Sequence, residues 1–222
     1  MKFYDAHSHC LENQSGGFLI GLDGEPHFQG TLFSSEVLKL ENKKNDLYAV
    51  EYISSVFNNT TTQIVKYHPR REKYSPQQVV DDIKKREFKI AIIDTLNQPY
   101  WQPMDYWNIA LQFPNIQFLF CHAGGYDIHE FIKMATFQEN IWIDFSLTQE
   151  YFGWCGNRVE YKLVTNAIDF ALQNKILQKK ILFGSDNVFF SQATALEKYS
   201  SLKDSNLFLK DNFFNLIQKA QI

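Results

Sequence analysis

Short apolar runs, bounded by turn residues and separated by stretches of helical period, alternate along this chain. "KIAIID", "IQFLFC" and "IWIDF" are the clearest of them. They lack the in–out alternation of a strand with one wet face, so each reads as a strand buried on both sides. Eight strands are predicted: Lys2–Ala6, Phe18–Gly21, Leu47–Ser54, Gln63–Tyr67, Lys89–Thr95, Ile116–Cys121, Ile141–Phe145 and Ile181–Gly184. Between them lie helix patterns. "SPQQVVDDIKKREF" opens with Ser75 as N-cap and Pro76 at the first helical position. "YDIHEFIKMATFQ", "RVEYKLVTNAIDFALQNKILQ" and "ATALEKYSSL" space their apolar residues by three and four, and "NLFLKDNFFNLIQKA" adds a final amphipathic helix.

Strands alternating with helices make βαβ units and a parallel sheet. Eight such strands in 222 residues predict an α/β fold, a (β/α)8 barrel of the TIM type in one domain over residues 1–222. It is slightly trimmed against the usual length of about 250 residues. The weakest strand is the second, "GFLIGLD", and a doubly wound open sheet is the alternative. The net charge of −3 gives no basic footprint for nucleic acid, and no run of apolar residues is long enough to cross a membrane. No secretory signal is visible at the N-terminus. Three cysteines, Cys10, Cys121 and Cys155, fit reduced thiols and a cytoplasmic location. A small-molecule substrate is the expected partner; nothing indicates an oligomer.

In a (β/α)8 barrel the active site lies at the C-terminal ends of the strands. Here the first strand ends in His7 and His9, the fourth in "VKYHPR", the fifth in Asp94, the sixth in "FCHAGG" and the eighth in "LFGSD". Residues two apart on a strand face one side, so His7 and His9 can present two imidazoles to one point. A zinc-like ion needs that convergence plus further imidazole or carboxylate. Asp186 sits beside the first strand in a closed barrel, and His122 and Asp94 complete a ring. Each signal has a plainer reading: His122 as a hydrogen-bonded loop histidine, "GSD" as helix-cap chemistry, "HAGG" as a turn built for positive φ. Their joint appearance at successive strand ends favours the metal site.

With these residues in place, the chain resembles the metal-dependent amidohydrolase superfamily, in the amidohydrolase-2 branch of carboxylic-acid decarboxylases and lactone hydrolases. "DAHSHC" matches the D-x-H-x-H opening, "IVKYHPR" the G-x-K-x-H-P strand, "LFCHAGG" the H-x-G-G strand and "ILFGSDN" the closing F-G-S-D, with "IWIDFS" between them. "LKDNFFNLIQ" is similar to the family's final helix. The resemblance covers roughly residues 2–190. It implies a distorted barrel and one divalent ion, zinc first, with manganese or iron as alternatives. His7 and His9 are then metal ligands. Asp186 is a ligand that also takes a proton from water, and His122 binds or polarises the substrate. Lys66, His68 and Arg70 bring positive charge to bind it. Where the family carries a histidine after the fifth strand, this chain reads "IIDTLN", so Asp94 would make the site richer in carboxylate.

The implied activity is hydrolysis of an amide, ester or lactone bond in a small carboxylate-bearing molecule. Decarboxylation by the same constellation is one alternative, and a non-catalytic barrel that binds a small ligand is another. Arg71 joins Arg70 as a candidate grip on a carboxylate. Asp144 is expected to orient a ligand histidine. Strand alternation counted from the ligands points Cys10 and Cys121 away from the site into packing. "PYWQPMDYW" either walls the pocket or buries its helix, and the wall is favoured. His27 and His129 are assigned no role.

Overall fold

The computed structural model describes residues 2–11, 13–22, 31–40, 46–53, 62–96, 99–146 and 158–222. All eight predicted strands form: β1 (Tyr4–Ser8), β2 (Gly16–Ile20), β3 (Leu47–Ile53), β4 (Ile64–Tyr67), β5 (Ile90–Asp94), β6 (Gln117–Cys121), β7 (Ile141–Asp144) and β8 (Ile181–Leu182). They pair parallel in sequence order, β1 through β8. The sheet then closes on itself. Ala6 N–H donates to Phe183 O at 2.8 Å, Asp186 N–H donates to His7 O at 2.7 Å, and Ser8 bridges to Asn187. Sequential order with closure is a TIM-type barrel and rules out the doubly wound alternative.

The second strand forms despite its weak pattern because two glycines let it lie close. Gly17 has φ +131°, and a Cβ there would collide with the backbone of Asp5 on β1.

The continuous apolar runs are buried on both faces, as a parallel sheet requires. Along β5, Ile90 and Ile92 pack into the barrel interior while Ala91 and Ile93 pack outward under the helices. Among the described residues the α-helices are α1 (Ser34–Val37), α2 (Pro69–Glu72), α3 (Pro76–Ile83), α4 (Pro103–Gln112), α5 (Ile128–Phe137), α6 (Arg158–Gln173), α7 (Gln192–Ser200) and α8 (Asn212–Ala220). In α3 the predicted cap is a full capping box, with Gln78 N–H donating to Ser75 Oγ and Ser75 N–H to Gln78 Oε1. The C-terminal pattern is one helix whose first turn, Leu207–Asp211, is widened to π geometry before α8.

This helix decides which end of the barrel is open. Phe213 and Leu216 pack with Tyr4, Phe18, Ile64 and Ile90, near the N-terminal ends of their strands. Phe213 stacks on Tyr4 with ring centroids 5.5 Å apart. The strands' N-terminal end is plugged, so any pocket belongs at their C-terminal end.

The aromatic cluster after β5 does not wall that pocket, which corrects the sequence expectation. Trp101 is buried, donates from Nε1 to Tyr74 O at 2.8 Å, and lies 4.8 Å from the Tyr106 ring. Both rings belong to the layer between sheet and helices, where they seat the start of α4. Among the described residues no helix is long and apolar enough to cross a membrane. His27 and Cys155 lie outside the described residues.

Candidate functional site

The site starts at the end of β1, where the register against β2 shifts between Asp5 and Ser8. His9 Nδ1 lies 3.0 Å from Ile20 O. A carbonyl only accepts, so Nδ1 carries a hydrogen, and in the neutral ring Nε2 is left with a lone pair. That lone pair faces Asp186 Oδ1 at 3.2 Å. His7 is fixed similarly, with Nδ1 3.0 Å from Ser146 Oγ, whose own hydrogen goes to Asp144 Oδ1. Its bare Nε2 is 3.4 Å from the same Asp186 oxygen. Three acceptor atoms, all buried and within 4.8 Å of one another, therefore point at one space. They could hold a cation between them, and two imidazole nitrogens with one carboxylate oxygen are a donor set that suits a zinc-like ion.

Asp186 reaches this point because the chain turns sharply after β8. It has φ +56°, in the left-handed region, where a β-carbon is strained. Asp5 holds the turn from below, accepting from Ser185 N–H at 3.0 Å, Ser185 Oγ at 2.6 Å and Gln192 Nε2 at 2.8 Å. It also accepts from His7 N–H at 3.1 Å, so one buried carboxylate positions both sides of the site. Burial pushes the Asp5 carboxyl up to about 6, against these hydrogen bonds. For Asp186 burial also opposes the charge, but the facing His7, His9 and His122 outweigh it and hold the carboxyl at about 2. Burial takes His7 down to about 4, and the Lys66 charge adds to that.

His122 follows β6 with φ +65°, the first of a left-handed run through Ala123, Gly124 and Gly125. Its backbone N–H donates to Asp144 Oδ1 at 3.0 Å, and its Nδ1 donates to Ser146 O at 2.7 Å. Its Nε2 is 3.1 Å from Asp94 Oδ2. Burial opposes a charge on His122, yet the Asp94 hydrogen bond and surrounding carboxylates raise its pKa, which favours the imidazolium. Asp94 also faces His68 Nε2 at 3.4 Å, with Arg70 Nε 3.8 Å from its other oxygen. Its carboxylate thus engages His122 and His68, outside the triangle of His7, His9 and Asp186.

His68 caps α2, its Nδ1 accepting from Arg71 N–H at 3.3 Å. Lys66 is almost fully buried, with Nζ 2.7 Å from His7 Nε2 and 3.9 Å from Cys121 Sγ. Cys121 is packed in the core as expected, but it faces the barrel interior beneath the site rather than away from it. Burial pushes its thiol well above the ordinary range. His7, Cys121 and Asp144 also lie within 4.8 Å of one another, but burial keeps the Cys121 thiol protonated despite the Lys66 charge nearby, and a thiol is a poorer metal ligand than a thiolate. His129 is exposed on α5, away from this chemistry. Above the triangle opens a pocket of about 120 Å³, lined also by Lys66, His68, Arg70, Arg71, Asp94, Leu22 and Phe189. Asp5 and Ser146 are functional neighbours that the sequence did not single out. The first Asp of "DAHSHC" was the available signal for one of them.

The profile of the amidohydrolase family (Amidohydro_2) matches residues 62–207. No curated protein sequence matches the chain. Several solved structures share its fold, three of which follow. An uncharacterized TIM-barrel protein from Bordetella bronchiseptica has a TM-score of 0.63 at 16% identity, over 93% of this chain and 79% of that one. A probable 2-pyrone-4,6-dicarboxylic acid hydrolase from Acinetobacter baumannii, with citric acid bound, has 0.59 at 14%, over 98% and 100%. An amidohydrolase 2 from Bifidobacterium longum subsp. infantis has 0.59 at 15%, over 100% and 99%.

Proposed function

Because this chain belongs to the amidohydrolase family, we propose that it is a metal-dependent hydrolase acting on an amide, ester or lactone bond of a small carboxylate-bearing molecule. The observation that carries this reading is the facing of two acceptors, His9 Nε2 and Asp186 Oδ1, at 3.2 Å inside a buried site. His7, His9 and Asp186 hold the ion, zinc being the first choice. When bound, a divalent ion acts as a Lewis acid and lowers the pKa of water toward 7.

The protein's own groups divide the remaining work. Asp186 stays ionised at neutral pH, accepts the proton of the attacking water and returns it to the leaving group. His122, whose charge is favoured by Asp94, offers positive charge to the oxyanion that develops on the substrate. Arg70 and Arg71, on the pocket wall with His68, hold the substrate's carboxylate, for which a guanidinium fork is suited. Leu22 and Phe189 add apolar surface to the pocket lining, which limits water.

The test is metal content by elemental analysis, wild type beside a His7→Ala/His9→Ala double variant. About one divalent ion per chain in the wild type, lost in the variant, supports the site. A screen of small lactones, amides and carboxylic acids follows, with release of CO2 marking a decarboxylase instead. Wild-type protein that takes up no divalent ion overturns the reading. Turnover that survives in the variant overturns it as well.

A further inference from the structure

Lys66 stands where an ion would compete with it. Its Nζ is 2.7 Å from His7 Nε2, the ring nitrogen that also faces Asp186. The other ring nitrogen of His7 is taken by Ser146 Oγ, so His7 has a single lone pair to give. That pair binds one electrophile at a time, an ammonium hydrogen or a metal ion. Among the described residues, no carboxylate oxygen lies within 4.0 Å of Lys66 Nζ; its near partners are the imidazole nitrogen and the Cys121 sulfur at 3.9 Å. Neither partner carries a charge of its own to hold the ammonium, and a divalent cation on the same nitrogen would repel it across a buried site, where charges interact more strongly than in water. Lys66 also lines the open pocket, and its four-carbon stem gives it somewhere to go.

We propose that Lys66 and the divalent ion are alternative partners of His7 Nε2, so that loading the metal site drives the Lys66 ammonium into the pocket, where it joins Arg70 in binding the substrate's carboxylate. This rests on the metal site proposed above and adds a regulation to it. The metal-free protein holds its lysine away from substrate, and the loaded protein presents it. Linkage requires the converse: an anion that holds Lys66 in the pocket strengthens metal binding.

The experiment measures Zn2+ affinity by competition with a chromophoric chelator, for wild type and Lys66→Met. Methionine keeps the length and burial of the stem and removes the charge. The variant is expected to bind Zn2+ at least about tenfold more tightly. Equal or weaker binding overturns the proposal while leaving the metal site standing. Zn2+ bound by neither protein removes the site and the proposal together. A second measurement uses only wild type, should the variant fail to fold. Reductive methylation mapped by mass spectrometry is expected to leave Lys66 unmodified in chelator-treated protein and to modify it once Zn2+ is added. A Lys66 as unreactive with Zn2+ as without it overturns the proposal.

Discussion

His9 Nε2 lies 3.2 Å from Asp186 Oδ1 while the other nitrogen of the ring is bound to the carbonyl of Ile20. Two acceptors at that separation repel unless a proton or a metal ion joins them. Asp186→Asn replaces one acceptor with an amide that donates to His9. The expected result is loss of the bound ion, from about one per chain to near zero by elemental analysis, because a neutral amide is a poor ligand for a zinc-like ion. In chelator the variant is expected to melt no lower than wild type. A variant that keeps its ion contradicts the assignment of Asp186.

Tyr106 offers a test of the fold apart from the chemistry. Its ring packs edge-on against Phe131 and Phe120 at 5.2 and 5.7 Å, but among the described residues its buried hydroxyl has no hydrogen-bond partner. Tyr106→Phe keeps the ring contacts and removes an unmet polar group. We expect stability unchanged or raised by up to about 1 kcal/mol in urea unfolding. A loss of that size would show that the hydroxyl has a partner.

The capping box of α3 predicts the opposite sign. Ser75→Ala leaves the Gln78 N–H without its acceptor and is expected to destabilise by about 1 kcal/mol. Ser75 lies outside the pocket, so turnover at low temperature should be unchanged.

The strands were legible because continuous apolar runs have few other uses in a chain of this length, and His7 and His9 were legible because strand geometry aligns residues two apart. What the sequence misplaced are the residues next to left-handed backbone. Alternation counted back from His122 sends Cys121 the other way, but His122 is already past the end of β6 at φ +65°. The turn breaks the alternation, so Cys121 keeps its interior position and His122 returns over the barrel mouth. Asp186 at φ +56° is the same case, and it explains β8 having only two regular residues although "ILFG" reads as a longer strand. Asp5 and Ser146 were overlooked because the partners that tie them to the site, Ser185 and Gln192 for Asp5 and His7 and His122 for Ser146, are distant from them in sequence. The aromatic stretch before α4 misled because a pocket wall and a buried helix start draw on the same residues.

His68 gives the pH dependence. Burial holds its ring neutral in the folded protein, with the pKa lowered from 6.5 to about 3 despite Asp94 nearby. The unfolded chain takes up a proton below pH 6.5 that the folded chain refuses. This contribution to stability is complete above that pH and lost as pH falls toward 3. Wild type should therefore lose about 2 kcal/mol more than His68→Gln between pH 7 and pH 5. Equal losses in urea unfolding at the two pH values would mean that His68 is protonated when folded.

Arg70 separates substrate binding from chemistry. It lines the pocket with its side chain 38% exposed, and its Nε is 3.8 Å from an Asp94 oxygen, beyond hydrogen-bond reach. A guanidinium in that position can turn two of its donors to an incoming carboxylate without breaking a hydrogen bond to Asp94. Arg70→Met removes the charge and keeps most of the stem. With the first substrate found, KM is expected to rise about tenfold while kcat stays within about twofold, the pattern of an interaction made equally in ground and transition states. Because the group is partly exposed, wild-type KM should also climb with salt, and the variant's should climb less. A fall in kcat with KM unchanged would place Arg70 at the reacting bond instead, with the substrate's carboxylate held by other groups of the pocket.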